Sequence, residues 1–312
     1  MTCPFCGAEV GNATLCPQCG ANIADSMVAL PLGTKLFGGK YTVGKVLGQG
    51  SFGITYLGLD NVHFRSVVIK ELFLEGCQRI GTTVQPIRII LSDFSFMKQR
   101  FLEEAKLLAS LNHPNIFKIY DYFEENNTAY MVMEFIEGKN LLDLLAERGG
   151  LMEEREAIGY IEQVAGALEA MHQAGYLHRD IKPESIMVTR DGRAVLVNFD
   201  AARQFIPQET KSMDIILTPG YAPLEQYAPR ARFGPPLDIY ALGATLYHLL
   251  TGQVPVDAVA RVTGVDLVPP HQLNPKVSRH VSDAVMKAMA IRVDERPQTV
   301  RAFIEILRGD VG

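Results

Sequence analysis

Two strand-like runs flank a glycine triplet, and that arrangement separates the chain from folds in which such a triplet leads into a helix. Tyr41-Thr42-Val43-Gly44-Lys45-Val46-Leu47 alternates with the two-residue period of a strand, Gly48-Gln49-Gly50-Ser51-Phe52-Gly53 follows as G-x-G-x-x-G, and Ile54-Thr55-Tyr56-Leu57 resumes the strand. In a dinucleotide-binding fold the same triplet opens a helix, so the second strand sets this chain apart from that class. About seventeen residues on, Val67-Val68-Ile69-Lys70 forms another strand that ends in a lysine. The run Phe101 to Leu108 has helical character, with Glu103 and Glu104 on it and Leu107, Leu108 and Leu111 expected on its buried side.

Farther along, His178-Arg179-Asp180-Ile181-Lys182-Pro183-Glu184-Ser185 precedes an apolar strand, Ala194-Val195-Leu196-Val197, that delivers Asn198-Phe199-Asp200. Thr218-Pro219-Gly220-Tyr221-Ala222-Pro223-Leu224-Glu225, Asp238-Ile239-Tyr240-Ala241-Leu242-Gly243 and Glu295-Arg296-Pro297 follow in order. In this ordered set the chain resembles the protein kinase family from about Tyr41 to Leu307, and its wording looks most like bacterial Ser/Thr kinases, some of which carry zinc-ribbon heads.

The resemblance implies an α+β, bilobal kinase fold, with a small β-rich lobe over residues 40–134 and a large helical lobe over 138–308. Helices are expected from Asn140 to Arg148 and from Glu153 to Ala174, stopped by Gly149-Gly150 and Gly175. The implied cofactor is ATP. Gly48, Gly50 and Gly53 would cover its phosphates, and Lys70 would contact the first two of them with Glu104 as its acidic partner. Val68 and Met187 would enclose the adenine, Met133 would be the gatekeeper, and Glu134-Phe135-Ile136 would be the hinge. Asp180 would orient a substrate hydroxyl beside Lys182, Asp238 would brace the catalytic loop, and Glu225 would pair with Arg296.

The chain departs from the family where metal is held. The family pattern reads H-R-D-x-K-x-x-N and then D-F-G; here Ser185 replaces the Asn, Asn198 the Asp and Asp200 the Gly. Magnesium is a hard cation that prefers anionic oxygens in octahedral geometry, so both metal-position changes weaken its hold. Val68 stands where the family usually has Ala, which narrows the adenine slot, and Leu224 replaces a Pro. One reading is a pseudokinase that acts as a regulatory or scaffolding switch and binds nucleotide weakly. The other is a divergent, active bacterial Ser/Thr kinase, in which Asp200, two residues beyond Asn198 and on the same side of an extended segment, supplies the missing carboxylate. A third is that Asn198 replaces the aspartate of an active parent, which leaves Ser185 and Val68 to be explained. Arg179 offers a partner to a phosphorylated loop, with Thr210 and Ser212 as the acceptors; Thr218 is the weaker candidate because that family position contacts the catalytic Asp.

Four of the five cysteines form two knuckles, Cys3-Pro4-Phe5-Cys6-Gly7 and Cys16-Pro17-Gln18-Cys19-Gly20. Two such turns place four thiolates around zinc, so residues 1–20 are expected to be a structural zinc ribbon. Residues 21–39, with Pro31, Gly33, Gly38 and Gly39, have the character of a linker. Cys77 stands alone as a core or loop thiol. With 312 residues and 47% hydrophobic content, the chain can bury a large core. Its net charge of -5, without a Lys/Arg block, argues against nucleic acid, and a protein substrate or partner is expected instead. No apolar run is long enough to span a bilayer and no leader is apparent, so a cytoplasmic location is expected. The ending at Arg308 to Gly312, just past the last expected helix, suggests a chain cut from a longer one.

Overall fold

Alternating apolar residues build an antiparallel sheet from the first part of the chain. The strands β1 (Lys35–Leu36), β2 (Tyr41–Gly50), β3 (Gly53–Asp60) and β4 (Arg65–Leu72) pair in succession. A separate hairpin of β5 (Cys77–Ile80) and β6 (Thr83–Pro86) and the helix α1 (Leu91–Ser110) follow; β7 (Ile119–Glu125) and β8 (Thr128–Glu134) then complete the order β1-β2-β3-β4-β8-β7. Every second residue points inward, which buries Ile54 and Tyr56 on β3, Val67 and Ile69 on β4, and Tyr130 and Val132 on β8.

The computed structural model describes residues 3, 8–9, 11, 16–18, 28–50, 52–199, 201–204, 210–212, 217–228 and 230–309. The chain divides into two units, residues 1–112 with 118–135 and residues 113–117 with 136–312.

Part of the span expected as a linker is an element of the first unit. Lys35–Leu36 pairs with Tyr41–Thr42 as β1, and Leu30 is buried. Gly33, Gly38 and Gly39 all have positive φ, so these glycines turn the chain back onto the sheet rather than loosening it. Residues 21–27 lie outside the described residues. The helix expected over Phe101 to Leu108 begins ten residues earlier, at Leu91. It buries Phe94, Phe101, Ala105 and Leu108, while Leu107 and Leu111 are only half-buried.

The second unit begins with β9 (Gly138–Asn140), α2 (Leu141–Glu147), α3 (Glu154–Gln173) and β10 (Tyr176–Leu177). Asn140 caps α2 by accepting the Asp143 amide at 2.8 Å, and Gly149, Gly150 and Gly175 take positive φ beyond the ends of α2 and α3. Then come β11 (Ile186–Thr189), β12 (Ala194–Leu196), β13 (Arg203–Gln204), β14 (Thr210–Ser212) and β15 (Arg230–Arg232), in the pairings β12-β11-β9, β10-β13 and β14-β15. Among the described residues five helices close the unit: α4 (Pro235–Thr251) and then α5 (Ala258–Val262), α6 (Pro270–Leu273), α7 (Arg279–Ala288) and α8 (Val300–Arg308).

Helix α4 is the centre of this unit. Every residue from Pro236 to Thr251 is buried, and the helix packs against α3, α6, α7 and α8. A Cβ at Gly243 would meet Ala288 Cβ at 2.8 Å, so α7 approaches this closely only because the residue is glycine. Among the described residues no helix is long and apolar enough to cross a membrane.

Candidate active site

The glycine turn joins β2 to β3, with Gly50 opposite Gly53 and Gly48 opposite Thr55. A Cβ at Gly53 would meet the Glu71 carbonyl oxygen at 2.2 Å, whereas one at Gly48 or Gly50 would meet nothing within 4 Å. Gly53 therefore serves the packing of the lobe itself. Gly48 and Gly50 leave an open backbone surface, which is what a turn that covers phosphates requires.

On β4, Val68 lies between Leu57 and Met133, and Lys70 lies between Thr55 and Met131. The Lys70 ammonium stands 5.9 Å from the centre of the Phe101 ring. Burial pushes its pKa below the ordinary lysine value, and the Glu104 carboxylate, carried on α1, opposes that push. Glu104 is half-buried; Glu103 is exposed and accepts from Gln99 at 3.0 Å. Glu134 is tied to Lys118, donating its amide to the Lys118 carbonyl at 2.8 Å and accepting the Lys118 amide at 3.1 Å. Phe135 ends the first unit exposed, and Ile136 opens the second unit buried.

In the second unit, β10 leads into His178, Arg179 and Asp180. Asp238 holds this turn: its carboxylate accepts the His178 amide at 2.9 Å, the Arg179 amide at 2.8 Å and His172 Nε2 at 2.8 Å. Burial alone would raise the Asp238 pKa, but the His172 hydrogen bond, the nearby histidines and the Arg179 amide overcome it and hold the carboxyl below its ordinary value. Arg179 adopts φ +71° within this clamp. The His178 ring donates from Nε2 to the Val197 carbonyl at 3.2 Å and accepts the Asp180 amide at Nδ1 at 3.3 Å, which uses both nitrogens of a neutral ring. Burial accordingly pushes its pKa below 6.5.

The Asp180 carboxylate accepts from Thr218 Oγ1 at 2.7 Å and lies 3.0 Å from Lys182 Nζ, which also donates to Thr218 Oγ1 at 2.9 Å. Ser185 is fully buried and donates its hydroxyl to the Asp180 main-chain carbonyl at 2.7 Å. Asn198 is exposed at φ +65° and directs Nδ2 to Asp180 Oδ2 at 3.4 Å. Phe199, beside it, is buried edge-on against Phe117 and His178. Met187, on β11, is half-buried between Asn140 and Val195. Asp200 lies outside the described residues.

The family model of the protein kinase domain matches residues 41–303. The chain belongs to the protein kinase family. It is similar to the Ser/Thr kinase pkn2 of Myxococcus xanthus, at 30% identity over 86% of this chain and 32% of that protein. PrkC of Bacillus subtilis is 32% identical over 82% of this chain and 38% of its own length. The chain thus spans about a third of the length of these relatives. Among solved structures, the apo form of PpkA-294 matches with a TM-score of 0.75 at 29% identity, covering 90% of this chain and 99% of that one.

Kinases use ATP with magnesium; among the described residues, the two positions where the family holds the metal offer no carboxylate. The Ser185 hydroxyl is turned to backbone, and Asn198 offers a neutral amide whose NH2 faces Asp180. The structural pair of the helical lobe is present: Arg296, 3% exposed, places Nη1 2.7 Å and Nη2 3.0 Å from the Glu225 oxygens. Arg179 is 2% exposed and turns inward, with Nη1 donating to the Ala201 carbonyl at 3.3 Å and the guanidinium over the Phe233 ring. A loop phosphate would have to reach inside the lobe to meet it. Thr210 and Ser212 instead lie on β14, in register with Arg232 and Arg230 of β15. No sequence signal placed that second strand.

At the N-terminus, Cys3 and Cys16 are both buried, and the Cys3 amide donates to the Ala8 carbonyl at 2.8 Å. Cys6 and Cys19 lie outside the described residues. Among the described residues no group of three or more His, Cys, Asp or Glu stands ready to hold a metal. Cys77 begins β5, half-buried, and burial pushes its thiol up.

Proposed function

We propose that this kinase domain is a pseudokinase, a regulatory or scaffolding switch that acts through a protein partner rather than through phosphoryl transfer. One observation carries the reading: both side chains at the metal positions, Ser185 and Asn198, are neutral and directed at Asp180 itself. Phosphoryl transfer depends on positioning and on neutralising phosphate charge, and the missing carboxylate removes the anchor for the ion that does so. Val68 adds a bulkier wall to the adenine slot, so ATP binds weakly and with little dependence on magnesium. Residues 1–20 hold a structural zinc through Cys3, Cys6, Cys16 and Cys19, measurable as about one zinc per chain.

The test is restoration. The purified chain with ATP and magnesium should label neither itself nor a generic protein substrate above background. The combined variant Ser185→Asn, Asn198→Asp and Asp200→Gly should gain at least about a hundredfold, because on this reading the altered metal positions are what limits transfer. Turnover by the natural chain near the ~1–100 per second of ordinary kinases would overturn the proposal.

A second reading is favoured by the intact Asp180, Lys182 and Thr218 triangle. In it the chain is an active Ser/Thr kinase whose metal is held by Asp200. Transfer that Asp200→Ala abolishes would establish this reading, and transfer that survives the change would remove Asp200 from it.

A further inference from the structure

Strand β4 carries a second charged group that nucleotide chemistry leaves unused. Successive strand residues face opposite sides, so Lys70 turns toward Phe101 while Glu71 turns to the other face, where it is fully buried. There its carboxylate accepts from Arg79 Nη1 at 3.0 Å, Arg79 Nη2 at 2.5 Å, the Tyr56 hydroxyl at 2.8 Å and the Tyr130 hydroxyl at 2.7 Å. Those four donors fill the carboxylate. Arg79, on β5, has 3% of its side chain exposed, donates also to the Thr82 carbonyl at 2.9 Å and lies over the Phe73 ring.

Two bonds of this network come from farther upstream. Arg79 Nε donates to the Val28 carbonyl at 2.5 Å, and the Tyr56 hydroxyl accepts the Leu30 amide at 3.0 Å. Leu30 itself is 1% exposed and Ala29 is 8% exposed. Residues 28–30 lie before the start of the matched kinase domain at Tyr41, yet they complete a buried charge network inside its sheet. A buried guanidinium that loses a carbonyl partner must find water, so the network and the segment stand or fall together.

We propose that residues 28–30 are a strap whose attachment is coupled to the strand carrying Lys70. Drawing the strap away opens the Glu71–Arg79 network and loosens β4. Stiffening of β4 in turn holds the strap down, because coupling between two sites is reciprocal.

Hydrogen exchange on the full chain tests this coupling. Leu30→Asp places a charge in the strap's buried position and leaves the four network side chains themselves unchanged in the sequence. Amides of residues 67–72 should then exchange at least about tenfold faster, while those of α4 keep their natural rates. If Leu30→Asp does not fold, Leu30→Ala removes the burial alone and should give a smaller rise in the same amides. In the reverse direction, Tyr56→Phe deletes the acceptor of the Leu30 amide and should speed exchange over residues 28–36. Unchanged exchange of 67–72 after release of the strap would overturn the coupling, as would unchanged protection of 28–36 in Tyr56→Phe.

Discussion

Phe64 sits at φ +53° and is 85% exposed. A side chain in the left-handed region costs roughly 1–2 kcal/mol, and here the ring buries almost nothing in return. The turn is imposed by Asp60, whose fully buried carboxylate accepts the Val62 and His63 amides at 3.1 and 3.2 Å, His63 Nδ1 at 2.8 Å and Arg65 Nε at 3.2 Å. Burial works the other way, but the bonds from His63 and the turn amides hold this carboxyl at about 2. Phe64→Asn, which suits positive φ, is therefore expected to stabilise the chain by about 1 kcal/mol, read from denaturant unfolding. A loss of stability would show that the ring has a role in the fold. At this scale the sequence announced Glu225 and Arg296, 71 residues apart, because their neighbours carry recognisable wording. It was silent on Glu71 with Arg79, since nothing in the spacing of two ordinary charged residues says that both will be buried. It marked Ser185 as a departure but was silent on its partner, a main-chain carbonyl that no pattern of residue types could name.

Strands and helices with strong periodicity were legible, and the exceptions have physical causes. The β5–β6 hairpin alternates weakly because only Val84 among its residues is fully buried. Strand β1 was hidden by glycines whose positive φ serves tight turns. The glycine turn between β2 and β3 divides in the same way. Gly53→Ala forces Cβ onto the Glu71 carbonyl and should cost more than about 1 kcal/mol, with a visible drop in melting temperature. Gly48→Ala meets nothing and should melt within about 0.5 kcal/mol of the natural chain, while weakening whatever nucleotide affinity the natural chain has. Calorimetric titration of ATP beside melting curves separates the two effects; equal melting of both variants would contradict the steric assignment.

For the molecule as a whole, acid should be more harmful than the carboxylates alone would make it. Burial pushes His113, His178 and His248 below 6.5, so below that value the unfolded chain binds more protons than the folded one. Stability from these rings is complete above pH 7 and falls as pH drops from 6.5 through their folded values, by up to about 1.4 kcal/mol per pH unit for buried His178 and His248 and by less for the partly exposed His113. Unfolding at pH 7.5 and 5.5 measures it: His248→Gln should flatten the slope, and a flat profile for the natural chain would refute the assignment. The sequence showed the order of the two lobes because its motifs run in the family's order, but not which histidines would be desolvated.

Helix α4 has one more consequence, for the chain as it is made. Three of the helices that enclose it, α6, α7 and α8, are synthesised after it. At roughly 5–20 residues per second the ribosome leaves a helix that is buried from Pro236 to Thr251 in the finished fold without its later neighbours for several seconds. Newborn copies should consequently depend on chaperones at that stage, whether or not the finished protein ever transfers a phosphate.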